Sequence, residues 1–210
     1  MANFPQHLLF GLTTSSVCSL AGYFQFGLTP VQSGASVVVG TLASLAPDLD
    51  HPESIPGKLF FEILGVLVPI LAITQIPPDY LKKFVLEHWI LYFCCSYLFA
   101  KYLLFDIFAK ITVHRGVFHS IPAALICGEL TFLMFGHLSV KNRITIAIIG
   151  MIGYFTHLIA DEVYSIDWEG STLKKSFGTA MDFGKLQSAS TWIAYCLLLG
   201  LARIIYRQII

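Results

Sequence analysis

The sequence predicts an all-α, polytopic helical membrane protein, and three observations predict it. The chain of 210 residues is 56% hydrophobic and only 12% charged, with a mean hydropathy of +0.72. No Lys, Arg, Asp or Glu precedes Asp48. Apolar runs recur at about the 20-residue length that crosses a bilayer, and none alternates as a membrane β-strand does. Because helices satisfy their own backbone groups in lipid, the runs read as about seven hydrophobic helices, roughly five to seven of them true spans. A single integral-membrane domain over residues 1–210 is expected, with a polar loop at about 162–190.

The first helix is expected over Leu8 to Phe26, closed by Gly27-Leu28-Thr29-Pro30. The second runs from Val31 to Ala46 and carries Ser36, Gly40 and Ser44 at four-residue spacing, a small-residue face suited to close packing; Pro47 ends it. A third, Lys58 to Ile76, contains Pro69 and stops before Pro77-Pro78. The fourth, Phe84 to Ala109, holds Glu87, His88, Lys101 and Asp106. The fifth, Ser120 to Leu138, has a capping serine, with Pro122 tolerated in its first turn. The sixth spans Ile144 to Asp161 and the seventh Thr191 to Ile209. Glu129, inside the fifth, either pairs with Lys101 of the fourth or lines a polar cavity, and the pair is the preferred expectation.

The histidines mark the chemistry. Of seven, five fall at the ends of apolar runs, four of them grouped with aspartates or another histidine: His7; Asp48-Leu49-Asp50-His51; His114-Arg115-Gly116-Val117-Phe118-His119; and His157 with Asp161. Imidazole nitrogen and carboxylate oxygen are the ligand set of zinc and similar divalent metals, and ionisable groups in or near lipid are functional by default. If all seven helices span, the N-terminus and the connections after the second, fourth and sixth helices share one membrane face, so every group lands on the same side. His157 and Asp161, at i and i+4, project from one helix face together with Tyr154. His114 and His119 are five apart and converge only if the chain leaves the helical path, which Gly116 permits.

Each group also has an ordinary reading. His157–Asp161 fits a capped helix end, Asp48–His51 a solvated turn, and His114–His119 a basic loop at the membrane border. The Arg115 fork suits a phosphate, and Lys174-Lys175-Ser176 sits in a loop able to hold an anionic headgroup or to lie on anionic lipid. That loop lacks the residue order of a nucleotide-binding P-loop. The zero net charge and scattered basic residues give no support to nucleic-acid binding. The N-terminus lacks the basic region of a cleavable signal, so His7 is expected to stay in the mature protein. The five cysteines lie in apolar runs without CxxC spacing and are expected to be free thiols.

At these groups the sequence resembles the YdjM-like family of membrane-bound, metal-dependent hydrolases. The resemblance rests on His7, Pro47-Asp48-Leu49-Asp50-His51, His114-Arg115-Gly116-Val117-Phe118-His119-Ser120 and Gly153-Tyr154-Phe155-Thr156-His157-Leu158-Ile159-Ala160-Asp161, with Asp161 to Ser165 and Lys174 to Thr179 resembling one branch of it. It implies a distant similarity to the zinc-dependent phospholipase C and P1-nuclease class.

Together these readings lead to the expectation of a metal-dependent hydrolase in the bacterial inner (cytoplasmic) membrane, acting on a lipid or lipid-linked phosphoester. Its ligands would be His7, Asp48, Asp50, His51, His114, His119, His157 and Asp161. So many ligands suit two or three divalent ions, zinc first among them. Asp50 would double as general base, and Arg115, Lys174, Lys175 and Ser176 would bind substrate. Two alternatives come from other classes: a metal-free lipid phosphatase using His157 and Asp161, and a metal transporter or metal-sensing protein, which would want its ligands at mid-membrane.

Overall fold

The computed structural model describes residues 2–50, 54–73, 81, 83–111, 116–167, 172–173, 183 and 188–210. Those residues form helices α1 (Phe4–Phe26), α2 (Pro30–Ala43), α3 (Ile55–Ile73), α4 (Leu86–Leu98), α5 (Phe105–Ile111), α6 (Ile121–Met134), α7 (Val140–Val163) and α8 (Ala189–Ile209). A 3-10 turn, Ala46–Asp50, follows α2, and a π-helical turn, Phe99–Leu104, joins α4 to α5. The expected fourth helix is therefore one run with a π turn inside it. Within the expected polar loop, Ile166 pairs with Leu173 and Asp167 with Thr172 in a two-residue antiparallel ladder. Leu86–Phe108, Val140–Val163 and Ala189–Ile209 are each long and apolar enough to cross a membrane. The protein is an all-α helical membrane protein.

Local chemistry sets the helix ends. Asn3 accepts from the Gln6 amide while its own amide donates to the Gln6 side chain, at 3.0 and 2.7 Å, closing a capping box at the start of α1. Thr29 and Gln32 repeat the device for α2, with Pro30 in the first turn. Gly27 ends α1 at φ 78°, a left-handed conformation that glycine adopts at little cost. Ser120 caps α6, accepting from the Ala123 amide at 3.4 Å.

The chain gathers into two compact units, Met1–Pro47 with His114–Ile210, and Asp48–Val113. In the first, α1 and α2 pack on each other and on α7, and α6 packs on α7 and α8. Its interior mixes small and polar residues with Leu28, Phe132, Ile146, Ile149 and Leu158. The buried residues of α1 are His7, Gly11, Ser15, Ser19 and Gly22, a stripe at nearly four-residue spacing. Leucines and phenylalanines of the same helix face outward, as lipid permits. The Ser36 hydroxyl donates to the Ser19 hydroxyl at 3.0 Å across the α1–α2 contact. The expected small face of α2 meets α7 at the closest crossing: a methyl group added at Gly153 would lie 2.1 Å from the Gly40 carbonyl oxygen.

At one end of this unit, buried Arg143 ties three helices. Its Nε donates to the Phe132 carbonyl of α6 at 3.1 Å, its guanidinium lies 3.8 Å from the centre of the Phe132 ring, and Nη2 donates to Gln208 of α8. In the second unit, α3 packs on α4, α5 and the π turn around Phe61, whose ring meets Phe105 and Phe108. Lys101, in the π turn, pairs with Glu62 of α3 at 2.7 Å and with the Tyr97 hydroxyl at 3.1 Å. This corrects the expected Lys101–Glu129 pair: the partner is the acid of the helix packed beside it. All five cysteines are free thiols.

Gly153→Ala should cost about 1–3 kcal/mol, because two backbones meet where the new methyl would sit. A thermal melt in detergent checks this, with Gly34→Ala, where nothing lies within 4 Å, as the harmless comparison. Equal melting of both variants would contradict the close crossing.

Candidate metal centre

Three chain segments meet at one place in the first unit. His7 sits in the second turn of α1, His157 and Asp161 in the last turns of α7, and His119 just before the cap of α6. All four side chains are buried, none more than 1% exposed. Asp161 is the centre. His7 Nε2 lies 3.2 Å from its Oδ1, and His119 Nε2 and His157 Nε2 lie 3.7 and 3.9 Å from its Oδ2. The His7 and His157 rings stack at 3.6 Å with 10° between their planes, and His119 meets His157 edge-on at 5.4 Å.

Backbone groups orient these side chains. His157 Nδ1 is 2.8 Å from the Ser44 carbonyl oxygen. A carbonyl only accepts, so Nδ1 carries the hydrogen, and Nε2 of the neutral ring presents its lone pair toward Asp161. The Ser44 hydroxyl in turn reaches the His7 carbonyl at 3.3 Å, so one residue at the end of α2 contacts both the His157 ring and the backbone of His7. The Ala2 amide donates to Asp161 Oδ1 at 3.0 Å. His119 is set by a turn closed by its own amide on Gly116 at 3.1 Å, the departure from helical path that Gly116 was expected to permit. Tyr154, one turn before His157, donates its hydroxyl to the Phe118 carbonyl and so holds that turn against α7.

The donor set and its spacing fit a divalent metal. Ligand atoms at about 2.0–2.1 Å from a tetrahedral zinc stand roughly 3.3 Å apart, near the nitrogen–oxygen separations found here. His7 Nδ1 and Asp161 Oδ2 are buried and have no hydrogen-bond partner among the described residues. Lone pairs are rarely left so in a buried place without a reason. His7, His157 and Asp161 each offer an atom within 4.8 Å of the others.

Of the eight expected ligands, the structure thus brings together His7, His119, His157 and Asp161. Asp48 lies in the 3-10 turn four residues past Ser44, and belongs to the second unit. Asp50 ends that turn, with its side chain outside the described residues, as are His51, His114, Arg115, Lys174, Lys175 and Ser176. Sequence reasoning missed Ser44 as the brace and the Ala2 amide; Ser44 stood only in the small-residue pattern of α2, and a backbone donor leaves no mark in side-chain spacing.

Tyr154→Phe removes a buried hydrogen bond and should cost about 1 kcal/mol. Hydrogen exchange should then quicken at the Gly116–Ser120 turn while α1 and α2 keep their protection. Unchanged exchange in that turn would mean that Tyr154 does not hold it.

Comparison with known proteins assigns the chain to a family. A family model described as YdjM inner membrane protein matches residues 1–173, which include all four meeting residues. No match was found among curated proteins or among solved structures. With the model matching most of its length, and with helices able to cross a bilayer, the chain is an integral inner-membrane protein and belongs to the YdjM inner membrane protein family.

Proposed function

We propose that this protein is a metal-dependent hydrolase of a lipid or lipid-linked phosphoester. The observation that carries the reading is the convergence of three imidazole Nε2 atoms on the one buried carboxylate of Asp161. His7, His119, His157 and Asp161 would hold a divalent ion, zinc by donor type. When bound, such an ion lowers the pKa of water and clamps phosphoryl oxygens.

The chain's own groups do the rest. Ser44, by taking the hydrogen of His157 Nδ1, keeps Nε2 in its ligating form. The Ala2 amide donates to Asp161 Oδ1, which leaves Oδ2 directed at the rings of His119 and His157. Asp48, Asp50, His51 and His114 are the ligands proposed for a second or third ion, with Asp50 taking the proton of the attacking water. Arg115 would grip a phosphoryl oxygen pair through its planar fork, and Lys174, Lys175 and Ser176 the rest of the headgroup.

Burial weighs against the metal-free phosphatase. His157 would have to attack phosphorus through Nε2, yet the residue is 0% exposed and stacked on His7. Ligands at helix ends instead of mid-helix weigh against a transporter.

The test is turnover of a labelled phospholipid by the purified protein, with and without chelator, beside its metal content. Activity lost to chelator and restored by zinc supports the hydrolase; turnover indifferent to chelator, or a metal-free protein that is fully active, sinks it. Asp161→Asn keeps shape but removes the charge, and should lower metal affinity and activity by at least ~10–100-fold. Asn caps a helix nearly as well as Asp, so bound metal and turnover near wild type would leave only the capping role. Arg115→Lys should lose activity with metal content kept, because lysine lacks the fork; loss of both would make Arg115 part of the site's framework.

A further inference from the structure

At the end of the first unit away from the His/Asp cluster, a buried cation has no counter-charge among the described residues. Arg143 is 5% exposed. Its partners are the Phe132 carbonyl, reached by Nε at 3.1 Å, the Gln208 side-chain oxygen, reached by Nη2, and the face of the Phe132 ring. All three are neutral. Because Phe132 lies in the last turn of α6, part of this contact is an ordinary helix cap. A cap satisfies the carbonyl and leaves the cation uncompensated, which is costly for a buried charge. Glu129, the one acid of α6, forms no ion pair with it. No Asp or Glu occurs from Phe135 to Ile144 or anywhere in α8.

One edge of the guanidinium remains open. Nη1 has no partner among the described residues, yet it is not sealed from the surface. With the second hydrogen of Nη2 it presents the two parallel N–H groups that receive two phosphate oxygens. The Arg143–Gln208 bond sets the start of α7 level with the end of α8, and both helices are able to cross the membrane. Exposed Arg203 and Arg207 stand one turn apart there, the second next to Gln208 in sequence. Arg143 is roughly 21 Å along α7 from His157, so this end meets the leaflet opposite the cluster. We propose that it binds the phosphate of an anionic phospholipid, with Arg143 as the bidentate anchor and Arg207 as a second cation. The lipid is a resident ligand and not the substrate, and the site is independent of the hydrolase reading.

Thermal melts in nanodiscs test it, with phosphatidylcholine alone, with phosphatidylglycerol added, and with phosphatidylcholine plus inorganic phosphate. Native mass spectrometry of the purified protein counts the lipid retained. Wild type should melt higher with phosphatidylglycerol and retain it in preference to phosphatidylcholine. Arg207→Gln should lower that preference by about fivefold, the effect of one cation at an anionic surface. Arg143→Lys keeps the charge but loses the fork, and should lower it at least as much. Lys141→Gln should leave it unchanged, because i and i+2 on a helix face apart. Melts in phosphatidylcholine give each variant its own baseline, so a weakened cap is not read as lost lipid. Should Arg143→Lys fail to fold, Arg207→Gln carries the test. Equal retention of both lipids by wild type, or a preference unchanged in the arginine variants, overturns the site. So does an equal loss in Lys141→Gln, which would mean diffuse surface attraction. Stabilisation by inorganic phosphate without any from phosphatidylglycerol overturns the lipid assignment in favour of a free phosphate.

Discussion

A carboxylate buried at the end of a membrane helix is tolerated only if its charge is compensated, and Asp161 is the group around which the first unit is arranged. Leaving a buried charge unpaired is strongly destabilising. The Ala2 amide and His7 Nε2 reach its Oδ1, and the rings of His119 and His157 stand within 4 Å of its Oδ2; apart from His157 these groups come from the chain before α1, α1 itself and the turn before α6. The compensation is incomplete by hydrogen bonding alone, because Oδ2 has rings at 3.7 and 3.9 Å and no hydrogen bond among the described residues. A cation between them would complete it, which is why the same geometry that poses a folding cost also fits a metal.

Such a cluster needs helix backbones that approach closely, and in lipid no hydrophobic effect draws helices together. The stripe His7, Gly11, Ser15, Ser19, Gly22 on α1 and the contact of Gly40 with Gly153 supply the approach. Small and polar side chains therefore share the interior with Leu28, Ile146, Ile149 and Leu158, while Phe24, Val31 and Leu199 are among the outward ones. Arg143 and Gln208 fasten α6, α7 and α8 away from the cluster, so the geometry at Asp161 is held from more than one place along the helices.

Much of this was legible in the sequence, for identifiable reasons. Helix order followed from run length and from Gly27, Pro30, Pro47 and Ser120, residues whose backbone chemistry starts or stops helices irrespective of tertiary context. His157 and Asp161 could be joined because i and i+4 share a face, and His7 and His119 could be added because helix parity sorted them to the same side. The stripe on α1 went unread although the like pattern on α2 was read, because it opens on a histidine and its last step, Ser19 to Gly22, is three residues instead of four. The Lys101–Glu129 pair was misjudged because it rested on depth alone; partner choice between charged residues in a helix bundle depends on which helix lies alongside, and α3 brings Glu62 to Lys101. The brace by Ser44 was beyond reach, since its carbonyl is common to every residue type.

That brace shows why the cluster stands where helices end. A helix consumes its interior N–H and C=O groups in its own ladder and leaves only the terminal ones open. Ser44 is the cap of α2 and Ala2 precedes the cap of α1, so the carbonyl that holds His157 and the amide that holds Asp161 are groups that no ladder claims. At mid-membrane the same orientation would require further polar side chains, each of them costly in lipid. Placing the rings at helix ends lets spare backbone groups do that work.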